Sequence, residues 1–380
     1  MIMSAYLDNA ATTKPSAECV EAMCHALTEH YGNPSSLHSM GLQAQLDVDA
    51  ARVQIAAALA VESNSILFTS GATESNNMAV LGTAARYGKR ARKVVTTTVE
   101  HASVRAAFDT LEAQGFEVVR VAPCESMEDF AANFAAAVDE NTCLASMMLV
   151  NNETGHILPV KAAFSAAKKK NPNLITHCDA VQGFMKVPFR AADLQADLIT
   201  VSGHKVHAAK GIGALWHKKG VKLGALLHGG EQEGGIRPGT ESVPLIVGFG
   251  TAVKKMRETL DDRRTYCSAL RQACMDKLSA IDGIRIQSPA DGSPFILSFS
   301  AKGLRSETLL HFLAEREVYV SSGSACSKGK QSGVLQEFGI PDNLADSTIR
   351  VSFCAENTME EIDTLVSLVA LAQQTLIHKR

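Results

Sequence analysis

No C-x-x-C pair occurs among the nine cysteines of this chain, which stand at positions 19, 24, 124, 143, 178, 267, 274, 326 and 354. An odd number without paired spacing argues against a disulfide framework and against a zinc knuckle. Most of these thiols have apolar neighbours, as Cys143 does in TCLASMMLV, and are expected to be small buried hydrophobes. No run of 18 apolar residues is uninterrupted, and MIMSAYLDNAATT at the start lacks a charged segment followed by an apolar core. A cytoplasmic protein is expected. Long basic runs are missing too: 37 Lys plus Arg face 40 Asp plus Glu, a formal net charge of -3. That balance points away from nucleic acid and toward a small substrate. The absence of G-x-x-x-x-G-K-[ST] lowers the case for a nucleoside triphosphate.

What is present is enough apolar material, 46% of 380 residues, to bury a large core in more than one domain. From about residue 65 to 217, β-branched runs alternate with helical periodicity, the pattern of a mostly parallel sheet covered by helices. The strand candidates are ILFTS, KVVTTTV, FEVVRVA, TCLASMMLV, LITHCDA, DLITVSG and GIGALWH. Gly115 closes the helical SVRAAFDTLEAQG in the manner of a C-terminal cap. A long helical pattern over about 242–281 is expected to link this domain to a smaller α+β unit containing FILSFS, VYVSSGS, STIRVSF and MEEIDTLVSLVALAQQTL. The expected division is 15–257 for the large domain, with 1–14 and 258–380 forming the small one.

Residues able to carry chemistry gather at the strand ends. In ILFTSGATESNN a strand runs through Gly71, Ala72 and Thr73 into a helix, so backbone N–H groups and the helix dipole would face an anion such as phosphate. An ordinary turn capped by Thr73 or Ser70 is the plainer reading. SGHKVH places Ser202, His204 and Lys205 after a buried-looking strand, and a desolvated lysine there can condense with an aldehyde. His204 and His207 form H-x-x-H, but no carboxylate or thiol stands beside them at ligand spacing, so no metal is expected. HCDAVQG supplies Asp179 and Gln182, suited to a pyridinium nitrogen and a phenolic oxygen, or in Asp179 a helix cap. His101 in VEHASV could stack on a planar cofactor and move protons, or only satisfy local structure. Asn152 in VNNETG is a substrate-binding amide or a turn residue. Phosphate cradle, pyridinium partner, imidazole and lysine together fit pyridoxal phosphate.

The ordered set YLDNAATT, YGNPSSLH, TSGATESNN, VEHASV, VNNETG, CDAVQG, SGHKVHAAKGIGALW, IRPGTES, SSGSACS and STIRVSF resembles the cysteine desulfurases of the class-V aminotransferase superfamily, NifS/IscS-like enzymes of pyridoxal-phosphate fold type I. The resemblance covers nearly the whole chain. It implies an α/β large domain with a mostly parallel seven-stranded sheet between helices, plus a smaller α+β domain carrying a catalytic-cysteine loop. It further implies that Lys205 binds the cofactor covalently, Asp179 pairs with its ring nitrogen, Gln182 bonds its phenolic oxygen and His101 stacks on the ring. Ala72, Thr73, Ser202 and His204 would hold the phosphate, completed across a homodimer interface by Thr240. Asn152 and Arg350 would hold the substrate carboxylate.

On this reading Cys326, in the mobile-looking SSGSACSKGK, takes sulfur from L-cysteine as a persulfide, releases alanine and passes the sulfur to an acceptor protein serving iron-sulfur assembly or thiolation. A selenocysteine lyase or another β-lyase on the same fold is the alternative. Two departures stand out: Glu231 and Gly234 occupy positions where the resemblance leads one to expect glycine and arginine, so this surface is expected to meet a different partner. The chain also stops after one helix, at HKR, without the extension by which the housekeeping branch docks its scaffold.

Overall fold

The computed structural model describes residues 4–322 and 333–377, and they form two compact units. The larger, Thr13–Leu149 with Leu158–Glu258, is built on a seven-stranded sheet. Its order is Ile66–Thr69, Gly213–His217, Leu198–Ser202, Ile175–Asp179, Thr142–Ser146, Lys93–Thr97, Glu117–Val121. Pairing is parallel throughout the last five strands, whereas Gly213–His217 runs antiparallel to both neighbours. Every residue of Thr142–Ser146, Ile175–Asp179 and Leu198–Ser202 is buried. This is why these stretches read as continuous apolar runs rather than alternating ones.

One part of the core packs Met78 and Val80 of helix Ala72–Tyr87, and Phe108 and Leu111 of helix Ala102–Ala113, over Leu67, Val94, Leu144, Leu198 and Leu215 of the sheet. The second of these helices ends as its sequence signals. Gly115 has φ +83° and donates to the Glu112 carbonyl, and Phe116 N–H reaches back to Leu111. These two bonds satisfy carbonyls that a helix end otherwise leaves open.

The smaller unit comprises Met1–Thr12, Val150–Ile157 and Thr259–Arg380. Its four strands lie in the order Ser321–Ser322, Thr348–Ser352, Ile296–Ala301, Ile284–Ile286, all antiparallel. Ala5–Tyr6 pairs in parallel with Val318–Tyr319, so VYVSSGS is divided between two sheets.

Two expectations need correction. The pattern over 242–281 is two helices, Val243–Glu258 and Leu260–Ser279, separated by Thr259 at φ -126°, ψ 18°. No glycine or proline marks the break. Each half buries its own stripe: Ile246, Phe249 and Val253 in the larger unit, Cys267, Leu270, Cys274 and Leu278 in the core of the smaller. The second correction concerns residues 150–157, which belong to the smaller unit and not to a domain spanning 15–257. Ser293 N–H donates to the Gly155 carbonyl at 2.8 Å, and Ser288 Oγ donates to the Thr154 carbonyl at 2.6 Å.

Candidate active site

The candidate anion cradle lies where Ile66–Thr69 meets helix Ala72–Tyr87. Its N-cap is Gly71, at φ +149°, and neither Ser70 nor Thr73 supplies a side-chain cap. The first-turn N–H groups therefore keep their capacity for an outside acceptor. Ser202 comes alongside through Gly213, which faces Thr69 on one neighbouring strand and Ser202 on the other. A Cβ on Gly213 would sit 2.7 Å from the Gly71 carbonyl carbon, so only glycine lets the turn approach this closely. Ser202 Oγ is buried with no hydrogen-bond partner among the described residues. An uncapped helix terminus and an unsatisfied buried hydroxyl form a donor set that fits a phosphate monoester.

Asp179, at the end of its strand and 4% exposed, accepts from Val181 N–H through Oδ1 at 3.0 Å and from Asn76 Nδ2 through Oδ2 at 2.8 Å. Its plainer role as a local cap and its place in a polar network therefore coexist. Asn76 also donates to Ser103 Oγ at 2.9 Å, and Ser103 Oγ lies 2.8 Å from His101 Nδ1. Because Ser103 N–H donates to the same Nδ1, that atom is an acceptor and the neutral ring carries its proton on Nε2. His101 retains solvent exposure. Desolvation nonetheless lowers its pKa, opposed by the charge of Asp179 and reinforced by Lys205 and Arg105.

Glu100, next to His101 in the chain, is 1% exposed. Its Oε1 accepts from Thr97 Oγ1 and Met148 N–H, both at 2.9 Å, and its Oε2 has no partner among the described residues. Burial first, then the charge of Asp179, raises its pKa to about 8. The folded protein thus holds a proton that the unfolded chain releases above an ordinary carboxyl pKa. The stabilisation is complete below that value and is lost as pH rises through about 8. Between these limits the loss is about 1.4 kcal/mol per pH unit. Glu100→Gln should remove this slope. Urea midpoints of wild type and variant measured from pH 5.5 to 7.5 are expected to converge or cross as pH rises, and parallel curves would contradict a buried neutral Glu100.

Lys205 closes the short 3-10 turn Gly203–Lys205. Thr13, from AATT near the start of the chain, clamps that turn. Its N–H and Oγ1 both donate to the His204 carbonyl, at 2.8 and 3.0 Å, and its Oγ1 accepts from His207 N–H at 2.8 Å. His204 is pushed down to about 4 by desolvation and then by Lys205, Lys210 and Lys186, so near neutral pH it is an uncharged ring. Gln182 is 4% exposed and follows Asp179 in the turn 180–187.

The segment 228–240 is tied to the cradle helix by Arg237, whose Nε donates to Glu74 Oε1 at 2.9 Å. Glu233 accepts two bonds from Arg52, at 2.7 and 2.8 Å, and one from Phe68 N–H at 2.9 Å. Glu233, Gly234 and Gly235 are all left-handed, at φ +48°, +66° and +70°. Glycine at 234 therefore suits a backbone that an arginine would strain. Glu231 and Thr240 are exposed.

In the smaller unit Arg350, 8% exposed, donates through Nη1 to the Asn152 carbonyl and through Nη2 to Asp8 Oδ1, both at 2.9 Å. Its Nε is buried and unpartnered among the described residues. Asn152 thus meets Arg350 through its backbone. Cys326 lies outside the described residues. Of the eight other thiols, Cys19, Cys143, Cys178, Cys267, Cys274 and Cys354 are buried, as their apolar neighbours suggest.

Asn76, Ser103, Glu100, Thr13 and Asp8 join the residues expected from the sequence through their hydrogen bonds in the structure. Glu100 and Ser103 flank His101 within VEHAS, and a carboxylate beside a strand-end imidazole was the available signal.

Comparison with known proteins shows the family and fold to which the chain belongs. The family model for class-V aminotransferases matches residues 5–365. A NifS/IcsS protein homologue of Lactobacillus delbrueckii is 38% identical over 367 residues, covering 95% of each chain. The cysteine desulfurase IscS of Clostridium botulinum is 36% identical, covering 96% of this chain and 93% of its own. A solved NifS-like protein superposes with a TM-score of 0.93 at 36% identity, covering 98% of this chain and 100% of its own. SspA, solved in complex with cysteine, superposes with a TM-score of 0.80 at 29% identity over 93% of this chain and 100% of its own. With a matching model across nearly its whole length and such relatives, this chain belongs to the class-V aminotransferase family, among the NifS/IscS-like cysteine desulfurases.

Proposed function

We propose that the chain converts L-cysteine to L-alanine with pyridoxal phosphate and places the released sulfur on Cys326. The observation that carries the cofactor assignment is the convergence in one unit of the open cradle at Gly71 and Ser202, the hydrogen-bonded Asp179 and the clamped Lys205 turn. The cofactor, when bound, supplies an electron sink conjugated to the substrate's α-carbon. Ala72, Thr73, Ser202 and His204 hold its phosphate, Asp179 its ring nitrogen and Gln182 its phenolic oxygen. Lys205 would hold its aldehyde carbon through the side-chain amine. His101 covers the ring and exchanges a proton at Nε2, the atom its Ser103 cap does not use.

The reaction balances without an external redox partner. The cysteine Cβ–S bond breaks, a proton takes the place of sulfur on carbon, and the sulfur joins Cys326 Sγ as a persulfide. An acceptor protein in iron-sulfur assembly or thiolation then removes it. The names of the relatives give the selenocysteine lyase alternative no support. A homodimer completes each phosphate site with the partner's Thr240. Helix Ser39–Leu59 leaves Leu42, Leu46 and Val53 exposed, with Tyr31 and Leu37 ahead of it, an apolar surface of the kind that pairing covers. A cytoplasmic location accords with the sequence, and no helix among the described residues is long and apolar enough to cross a membrane.

Arg350 carries the substrate-binding half of the proposal, because its guanidinium is held by Asp8 and Asn152 with Nε still unused. Charge-assisted hydrogen bonds contribute about 1.5 to 3 kcal/mol. Arg350→Ala should therefore lower kcat/KM for cysteine by about 10- to 150-fold, mainly through KM. Alanine and sulfide measured together report it, and unchanged kinetics would leave Arg350 a structural residue only.

A further inference from the structure

Lys186 is a charged residue buried to 4% exposure to which the proposed reaction gives no task. A buried ammonium is costly, and an apolar residue of similar size commonly replaces it without loss of stability. Its placement is specific: Nζ donates to Gln182 Oε1 at 2.9 Å. An ammonium has no acceptor, so it fixes which end of the amide it meets, and the Gln182 NH2 must point elsewhere. The backbone around it is also committed. Met185, buried and not a glycine, sits in the left-handed region at φ +57°, a conformation that persists only where the surroundings impose it. Lys186 and Val187 N–H groups both donate to the Gly183 carbonyl, at 3.0 and 2.9 Å, locking the turn. The charge of Lys186 reaches the next functional segment, since it acts on His204 together with Lys205 and Lys210. His101 in turn feels the opposed charges of Asp179 and Lys205.

We propose that Lys186 is a positioning residue for cofactor chemistry: it holds the Gln182 amide with its NH2 turned to the cofactor's phenolic oxygen, and its ammonium adds positive charge beside the Lys205 turn. This rests on the cofactor placement proposed above. Both effects act in one direction. A donor on the phenolic oxygen and a cation nearby each make the cofactor-bound Lys205 nitrogen harder to protonate.

The test follows the visible absorption of the cofactor-loaded protein against pH. Lys186→Met should raise the protonation midpoint by about one unit, and Lys186→Arg, which keeps charge and donor, should return it to within about 0.3 unit of wild type. In a Gln182→Leu background the effect of Lys186→Met should fall to half or less, because part of it passes through that amide. An unchanged midpoint in Lys186→Met, or shifts that simply add in the double variant, overturns the proposal. Melting of the apoprotein checks that each variant folds. Should Lys186→Met not fold, Lys186→Gln, which keeps a donor without the charge, carries the same comparison. Failure of the underlying cofactor placement looks different: borohydride reduction would then leave no cofactor on Lys205 even in the wild type.

Discussion

Cys326→Ser is expected to abolish alanine release while leaving cofactor and cysteine binding intact. A serine hydroxyl keeps the size and polarity of the segment but is no nucleophile toward sulfur near neutral pH, whereas a thiolate is. With an ordinary thiol pKa near 8.5, only a few per cent of such a group is thiolate at pH 7. Turnover of the wild type should therefore climb with pH through the neutral range. For the variant the fall in kcat should be on the order of 10³-fold or more, as for removal of other nucleophiles. Binding is read from the change in cofactor absorption when cysteine is added. In the wild type, one equivalent of cysteine without reductant should leave one extra sulfur atom on the peptide containing Cys326, and a reductant should release it as sulfide. Wild-type turnover by Cys326→Ser, or the extra sulfur on another cysteine, would remove Cys326 from the reaction.

Lys205→Ala should lose turnover altogether, and the loss should be repairable in a way that reveals how sites are shared. Borohydride treatment of the wild type should fix the cofactor to Lys205, and a label on Lys210 instead would move the catalytic amine. If Thr240 serves the partner's phosphate site, a mixed dimer of Lys205→Ala and Thr240→Ala chains contains one intact site. Its lysine comes from one protomer and its threonine from the other. Refolding an equal mixture should thus recover activity that neither homodimer has. No recovery on mixing, with a dimer verified by sedimentation, would place each phosphate site within a single chain.

The placement of Asp179 and Ser202 at strand ends, with His101 and Lys205 shortly after strands, was legible because apolar runs stop there, and strand ends in open α/β sheets are where ligands bind. Gly71 was legible for the same reason. Its uncapped state was not, since Ser70 and Thr73 beside it are both competent caps. Asn76 joins Asp179 to Ser103 across separations of 103 and 27 residues, and nothing in TESNN alone distinguishes it from Asn77, which bonds its own helix at Thr73. Asp8 and Thr13 stand in the quoted YLDNAATT, yet their roles come from Arg350 and His204, far away in the chain. The break at Thr259 was hidden because helical periodicity continues across it while the surface being covered changes. Residues 150–157 misled the domain boundary for a related reason: their attachments, to Ser288 and Ser293, lie more than a hundred residues downstream.

The pairing of Ala5–Tyr6 with Val318–Tyr319 sets an order of events at the ribosome. Synthesis delivers Ala5–Tyr6 more than 300 residues ahead of its hydrogen-bonding partner. Long-range pairings of this kind form late. Meanwhile the segments of the larger unit, which end at Glu258, emerge before that partner is made. The nascent chain must therefore carry its N-terminal strand unpaired through most of translation. A chain stalled before Val318 would still lack the edge against which its opening residues dock.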